Sequence, residues 1–146
     1  MQSIRGLGMA LLLAAGALAC AQVQACARPL QQSGLVQIPA GMMNGIAYVP
    51  VPRGYRYVVQ YVSASVRLRT ESEYSDFNVG VWQGTARIDY TLPILPGFTP
   101  LDRKTSGPVK FHADPGSQVQ VSIVRGDAAI AATGHYAISG CLRKAT

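Results

Sequence analysis

Six side chains carry most of the recognition chemistry in this sequence: Tyr55, Tyr57, Tyr61, Arg67, Arg69 and Trp82. The first five occupy odd positions of one long segment, so in an extended strand they project from a single face. A stripe of aromatic rings and guanidinium groups stacks on sugar rings and holds acidic groups through planar ion pairs. Trp82 shares its side of the chain with Asn78 and Gly80 rather than with Val79 and Val81, which leaves its ring free to join the stripe. The structural reading of the same residues has the tyrosines covering core edges or packing beneath the loop expected at 93–108.

Catalytic chemistry has thinner support. His112 and His135, with Ser139 and Asp114, supply the residue types of a nucleophilic triad. No spacing singles them out, and a triad is defined by geometry. Glu71, Glu73, Asp76 and Asp89 supply the types of a glycosidase pair, which needs two carboxyl groups about 5–9 Å apart. They also read as a solvated loop plus one strand charge. The cluster at 71–76 offers oxygen ligands for calcium but lacks the spaced glycine and terminal glutamate of a known loop. Arg125-Gly126-Asp127 spells an integrin-recognition tripeptide, and Gly-Asp is equally a natural turn. The expectation is a chain with no catalytic set, no metal site and no cofactor.

The three cysteines are Cys20, Cys26 and Cys141. Arg5 followed by an apolar run from Met9 to Ala19 has the pattern of an export signal, and the run is shorter than the roughly 20 apolar residues a membrane span needs. Two processing routes are open. Cleavage after Ala25 leaves Cys26 and Cys141. Processing at Ala17-Leu18-Ala19-Cys20, which resembles a bacterial lipobox in its last two positions, places a lipid on Cys20 and leaves the same pair. Either way one pair meets an oxidising compartment, and a Cys26–Cys141 disulfide is expected. It would close nearly the whole domain, worth roughly 4–5 kcal/mol on the chain-entropy account. The protein is then periplasmic or secreted, or else a membrane-anchored lipoprotein.

The elements that must position these groups follow a period of two. Short strands are expected at Leu35–Ile38 and Ile46–Val49, after a lead-in at 26–35. The clearest strand is Tyr55 to Arg69, with Val58, Val62, Ala64, Val66 and Leu68 on its buried face. Such length calls for a bulge, expected near Ser63. Phe77–Trp82 and Thr85–Leu92 form a hairpin hinged at Gln83-Gly84. Val109, Phe111 and Ala113 precede the turn Asp114-Pro115-Gly116-Ser117, and Val119, Val121 and Ile123 follow it. The last strand spans about 134–142. After the export segment no stretch carries a helical stripe. The expectation is an all-β fold, an antiparallel β-sandwich or jelly roll of about seven to eight strands. Residues 1–25 form the signal and 26–146 a single β-sandwich domain.

Composition agrees. Of 146 residues, 49% are hydrophobic and 14% charged, which suits one globular core and excludes a disordered chain. The length leaves no room for a barrel enzyme or a doubly wound nucleotide fold. The net charge is +6, about +5 once Arg5 is removed with the signal. Dispersed arginines favour anionic partners: a glycan, an acidic polymer or an anionic membrane surface. With only the pairs Arg103-Lys104 and Arg143-Lys144, no basic block points to nucleic acid.

Val51-Pro52-Arg53-Gly54-Tyr55-Arg56-Tyr57-Val58-Val59-Gln60-Tyr61-Val62-Ser63-Ala64 resembles the start of small exported β-rich proteins of Gram-negative bacteria. Val109–Gly116 and Ile138–Leu142 are similar too. The resemblance covers most of the chain after the signal and implies export and a β-rich fold. It implies no activity. The reading from sequence is an exported, non-catalytic binding or envelope-associated domain. The alternatives are a hydrolase acting on an envelope polymer and a structural subunit that assembles through its strand edges.

Overall fold

The computed structural model describes residues 26–145. The expected signal at 1–25, with Cys20, lies outside them. The described residues form nine strands and no helix. They are β1 (Arg28–Ile38), β2 (Asn44–Pro50), β3 (Tyr55–Arg67), β4 (Ser75–Gln83), β5 (Ala86–Leu92), β6 (Leu95–Pro96), β7 (Asp102–Ala113), β8 (Gln118–Arg125) and β9 (Ala132–Lys144).

Alternation makes one face of each main strand apolar, and two such faces close on each other. One sheet has the order β1-β9-β3-β7-β6 and the other β2-β8-β4-β5, with every pairing antiparallel. Setting aside the two-residue β6, the pairs β1–β9, β2–β8, β3–β7 and β4–β5 fold the chain back on itself as one long hairpin wrapped across two sheets. This is jelly-roll connectivity, the second of the two architectures expected. The core between the sheets holds Val36, Val59, Val62 and Ile138 from the first sheet and Phe77, Val79, Val121 and Ile123 from the second.

The first forty residues of the domain differ from expectation. The stretch read as a lead-in is strand: β1 runs beside β9 from Arg28 opposite Leu142 to Ile38 opposite Ala132. Its polar run Gln31-Gln32-Ser33 hid it, since a sheet edge is stabilised by backbone pairing as much as by apolar side chains.

The long strand also differs, in a way that decides the site. β3 does carry a bulge, between Val59 and Tyr61 rather than near Ser63. One extra residue reverses which side chains face inward. Before the bulge Tyr57 and Val59 point into the core; after it Val62, Ala64 and Val66 do. Val58, expected in the core, is instead buried on the outer face, opposite Cys141 in register. Gly140 sits across from Val59 at the bulge, where a Cβ would collide with the Val58 carbonyl.

The two ends of the sandwich are unlike. At one, the turns 51–54, 84–85 and 114–117 join the strands, and Gly84 (φ 61°) lets β4 turn directly into β5. The Cys26–Cys141 disulfide lies here, with Cα atoms 5.5 Å apart and 115 residues between them in sequence. At the other end the longer connections 39–43, 68–74, 93–101 and 126–131 crowd together. They are called the turn end and the loop end below.

Candidate functional site

The six-residue stripe does not form a single face. Tyr57 is fully buried in the core; its hydroxyl donates to the Leu30 carbonyl at 3.3 Å, and burial pushes its pKa up to about 12. Tyr55 is half-buried at the turn end, beneath the Arg28 guanidinium 4.7 Å from its ring centroid. Arg69 lies past the end of β3 and pairs with Asp127 at 3.1 Å. Trp82 is on the outer face of the other sheet, a full domain thickness away. Only Tyr61 and Arg67 still share a face, the outer face of the five-stranded sheet, about 20 Å apart along it from a rise of about 3.3 Å per residue. The bulge moved Tyr57 inward, and the second sheet took Trp82 away.

That outer face brings different residues to Tyr61 and Arg67. In register, Ser63 lies between Ser106 and Ala137, and Ser65 lies between Lys104 and His135. Small side chains in successive rows leave a shallow trough, formed by adjoining recesses of about 470 and 330 Å³. Hydroxyl groups make its floor. The loop after β6 forms one wall and presents Phe98, whose ring is fully exposed. The Lys104 ammonium lies 5.6 Å from the centroid of that ring. At the far side Tyr61, 42% exposed, shares a hydrogen bond between its hydroxyl and that of Ser106.

The trough is cationic at its upper end. Among the described residues, neither Arg67 nor Lys104 has a carboxylate within ion-pair distance. Asp102, across from Arg67, also lines the recess, and its carboxylate is engaged there: it accepts from the Thr99 amide at 3.0 Å and the Thr99 hydroxyl at 2.8 Å. The Thr99 hydrogen bond, with Arg67 and Arg103 nearby, holds Asp102 below its usual pKa, so it stays ionised and braces the loop that carries Phe98. Sequence patterning missed Phe98, Lys104 and Ser106 as site residues, and it singled out His135 only as a member of a triad with His112. The one visible signal was serine alternating with alanine and valine along 62–66, the mark of a face with nothing bulky on it.

The chain matches no protein-family model, and no curated protein matches it.

The other candidate groups are placed apart. His112 and His135 share the outer face but sit about 20 Å apart along it, from a strand rise of about 3.3 Å per residue. Ser139 lies beside Tyr61, away from both. Asp89 pairs with Arg87 at 2.6 Å on the second sheet. Glu73 accepts the backbone amides of Arg69 at 2.7 Å and Asp127 at 3.1 Å, and Asp76 accepts that of Phe77 at 2.9 Å. The carboxylates of Glu73 and Asp76 thus hold nearby backbone, and among the described residues no cluster of three or more metal-ligating side chains forms.

Arg125 stands out at the loop end. It is 1% exposed, and among the described residues its Nε and Nη2 have no hydrogen-bond partner. The tripeptide Arg125-Gly126-Asp127 is therefore not displayed. Asp127 is spoken for as well: the Ala129 amide and Arg69, with Arg125 nearby, hold its pKa below the usual value.

Proposed function

We propose that this is an exported, non-catalytic binding domain whose trough takes a saccharide bearing an acidic group. The observation that carries the reading is Phe98, a fully exposed ring beside a lysine, at the rim of a hydroxyl-lined floor. An aromatic ring left in water is costly unless something covers it, and sugar rings stack on such faces. Ser63, Ser65 and Ser106 offer donors and acceptors to sugar hydroxyls. Among the described residues Arg67 and Lys104 have no carboxylate within ion-pair distance, and they suit a carboxylate or sulfate on the ligand.

Calorimetric titration with acidic and neutral oligosaccharides tests this. Acidic oligosaccharides should bind at physiological salt, and Phe98→Ala or Lys104→Ala should weaken them at least tenfold. Absence of binding by every acidic oligosaccharide, or binding that ignores both substitutions, would sink the reading.

Export rests on the signal pattern at 1–25, on the resemblance to small exported β-rich proteins, and on a disulfide suited to an oxidising compartment. The intact mass of the recovered protein is expected to begin at Cys26; a diacylglyceryl increment on a chain beginning at Cys20 would make it a lipoprotein.

A second reading has one observation behind it. β1 is an edge strand with no charged residue from Pro29 to Ile38, the kind of edge that natural sheets usually guard. Light scattering across rising concentration would show strand-edge assembly as growing mass, and a constant monomer mass would remove it.

A further inference from the structure

We infer that the turn end docks on an anionic phospholipid surface, a second interface separate from the trough. Of the thirteen lysines and arginines in the chain, seven lie within three residues of strand termini or turns at this end: Arg28, Arg53, Arg56, Lys110, Arg143 and Lys144, with Arg87, which pairs with Asp89. Asp89 and Asp114 are the acidic side chains among them. At the loop end, Arg67, Arg69, Arg103, Lys104 and Arg125 are balanced by Glu71, Glu73, Asp76, Asp102 and Asp127. Essentially the whole positive excess of the domain therefore sits on one end, although the sequence spreads it along the chain.

The arrangement works against folding. Arg56 and Arg143 lie directly opposite each other on β3 and β9, and like charges in that relation repel. Among the described residues Arg143 Nε is buried without a partner. His112, on the same face, is held below its usual pKa, first by burial and then by Lys110, Arg143 and Arg56. Among the described residues a single ion pair, Arg56 to Asp114 at 3.5 Å, offsets any of this. Charges that repel within the domain gain when a dense layer of phosphates lies against them.

The spread of the cations selects the partner. They stand on β1, β3, β5, β7, β9 and the 51–54 turn, so a broad anionic surface meets them together. Beside them are open recesses of about 410 Å³ at Arg56, His112 and Asp114 and about 360 Å³ at Trp82, Gly116 and Gln118, both lined by Gly84. The exposed apolar loop residues Met42, Met43, Tyr74, Ile94, Phe98 and Ile130 are all at the opposite end, so attachment here is by headgroup attraction without insertion. Cys26, where the recovered protein is expected to begin, also lies at this end.

Sedimentation with vesicles tests it. The protein should sediment with vesicles containing phosphatidylglycerol, stay in solution with pure phosphatidylcholine, and come off as salt is raised. Arg56→Gln and Arg143→Gln should each lower partitioning about fivefold, and the double variant about 25-fold, from the typical contribution of one basic residue at an anionic surface. Arg69→Gln removes the same charge from the loop end and should leave partitioning within twofold. Cooperative urea unfolding of each variant establishes that it folds. Equal losses from Arg69→Gln and Arg56→Gln would overturn the inference. So would equal binding to both lipids, release by millimolar inorganic phosphate, or binding to a soluble acidic polysaccharide without binding to vesicles. Phe98→Ala should keep vesicle binding while losing the saccharide, so the two proposals fail separately.

Discussion

At the turn end, short connections and a disulfide hold the strands. Asp114 ties neighbouring turns together: its carboxylate accepts the Gly84 amide at 2.6 Å, and its own amide donates to the Trp82 carbonyl at 3.0 Å. At the loop end the connections are longer, large apolar side chains face water, and among the described residues the Arg125 guanidinium is buried with both Nε and Nη2 unpartnered, against Nε alone for Arg143 at the turn end. The first end restricts the chain and gathers charge; the second exposes apolar side chains. Restraint and apolar exposure are thus placed at opposite ends of one core, which lets loops carry unfavourable exposure while the turns and the shared sheets keep the strands registered.

The largest effect that this contrast predicts is the loss of the disulfide. Cys141→Ala should leave the fold intact and lower its stability by about 2–4 kcal/mol, since the cross-link spans 115 residues and restricts the unfolded chain. Cys26→Ala should lose nearly as much; Cys26 is exposed and Cys141 is buried, so the difference between the two isolates the packing of Cys141 beside Val58. Because β1 is paired with β9 along its length, reduction should loosen the start of β1 without releasing the strand. Urea unfolding with and without reductant, beside a free-thiol count, reads this. A wild-type midpoint indifferent to reductant would show that the turn end owes its order to pairing alone.

Next is a change of opposite sign at the loop end. Arg125→Met keeps the length and apolar stem of the side chain and removes a buried charge whose Nε and Nη2 lack partners. Replacing such a group by an apolar one should stabilise the protein by about 1–3 kcal/mol. A loss of stability in the same urea assay would mean that Arg125 is satisfied in solution, and the loop end would then be better ordered than its exposed side chains suggest.

How much of this was legible in the sequence depended on whether one residue's identity or a relation between segments was decisive. The all-β class followed from period-two runs such as Val119-Gln120-Val121-Ser122-Ile123. The Cys26–Cys141 bond followed from counting. The inward set of the last strand, Tyr136, Ile138 and Leu142, was read correctly because nothing interrupts its alternation. Tyr57 was misplaced because a bulge is a property of two paired strands: the extra residue at Gln60 is defined by register against β7 and β9, which one segment does not display. The trough was invisible for the same reason. Ser63, Lys104, Ser106 and His135 come from three strands and are neighbours only across the ladder. The charge segregation, too, exists only once the strands run alternately up and down.

A smaller effect at the turn end tests its positive field. Folding lowers the pKa of His112 below its ordinary 6.5, so the folded state binds fewer protons than the unfolded state at mildly acidic pH. The associated stability is therefore fully present above about 6.5 and declines as pH falls through that value toward the lowered folded pKa. Urea midpoints between about pH 7 and 5 should fall more steeply in wild type than in His112→Gln. Equal slopes would mean that neither burial nor the neighbouring Lys110, Arg143 and Arg56 disfavours the imidazolium, weakening the account of a concentrated field there.

The smallest stability effect should come from the residue with the largest role in recognition. Phe98 has its ring fully in water and makes its only described ring contact with the Lys104 ammonium, so Phe98→Ser removes little that folding depends on. Its urea midpoint should match wild type to within about 0.5 kcal/mol, as for other surface changes. The loop that carries it is braced independently, by Asp102 on Thr99 and by Arg103 on the Pro100 carbonyl at 2.6 Å. The same substitution should remove most of the affinity for an acidic oligosaccharide. A large loss of stability would instead place Phe98 in a packing role against the trough wall, and the loop end would then be serving the core in the same way as the turn end.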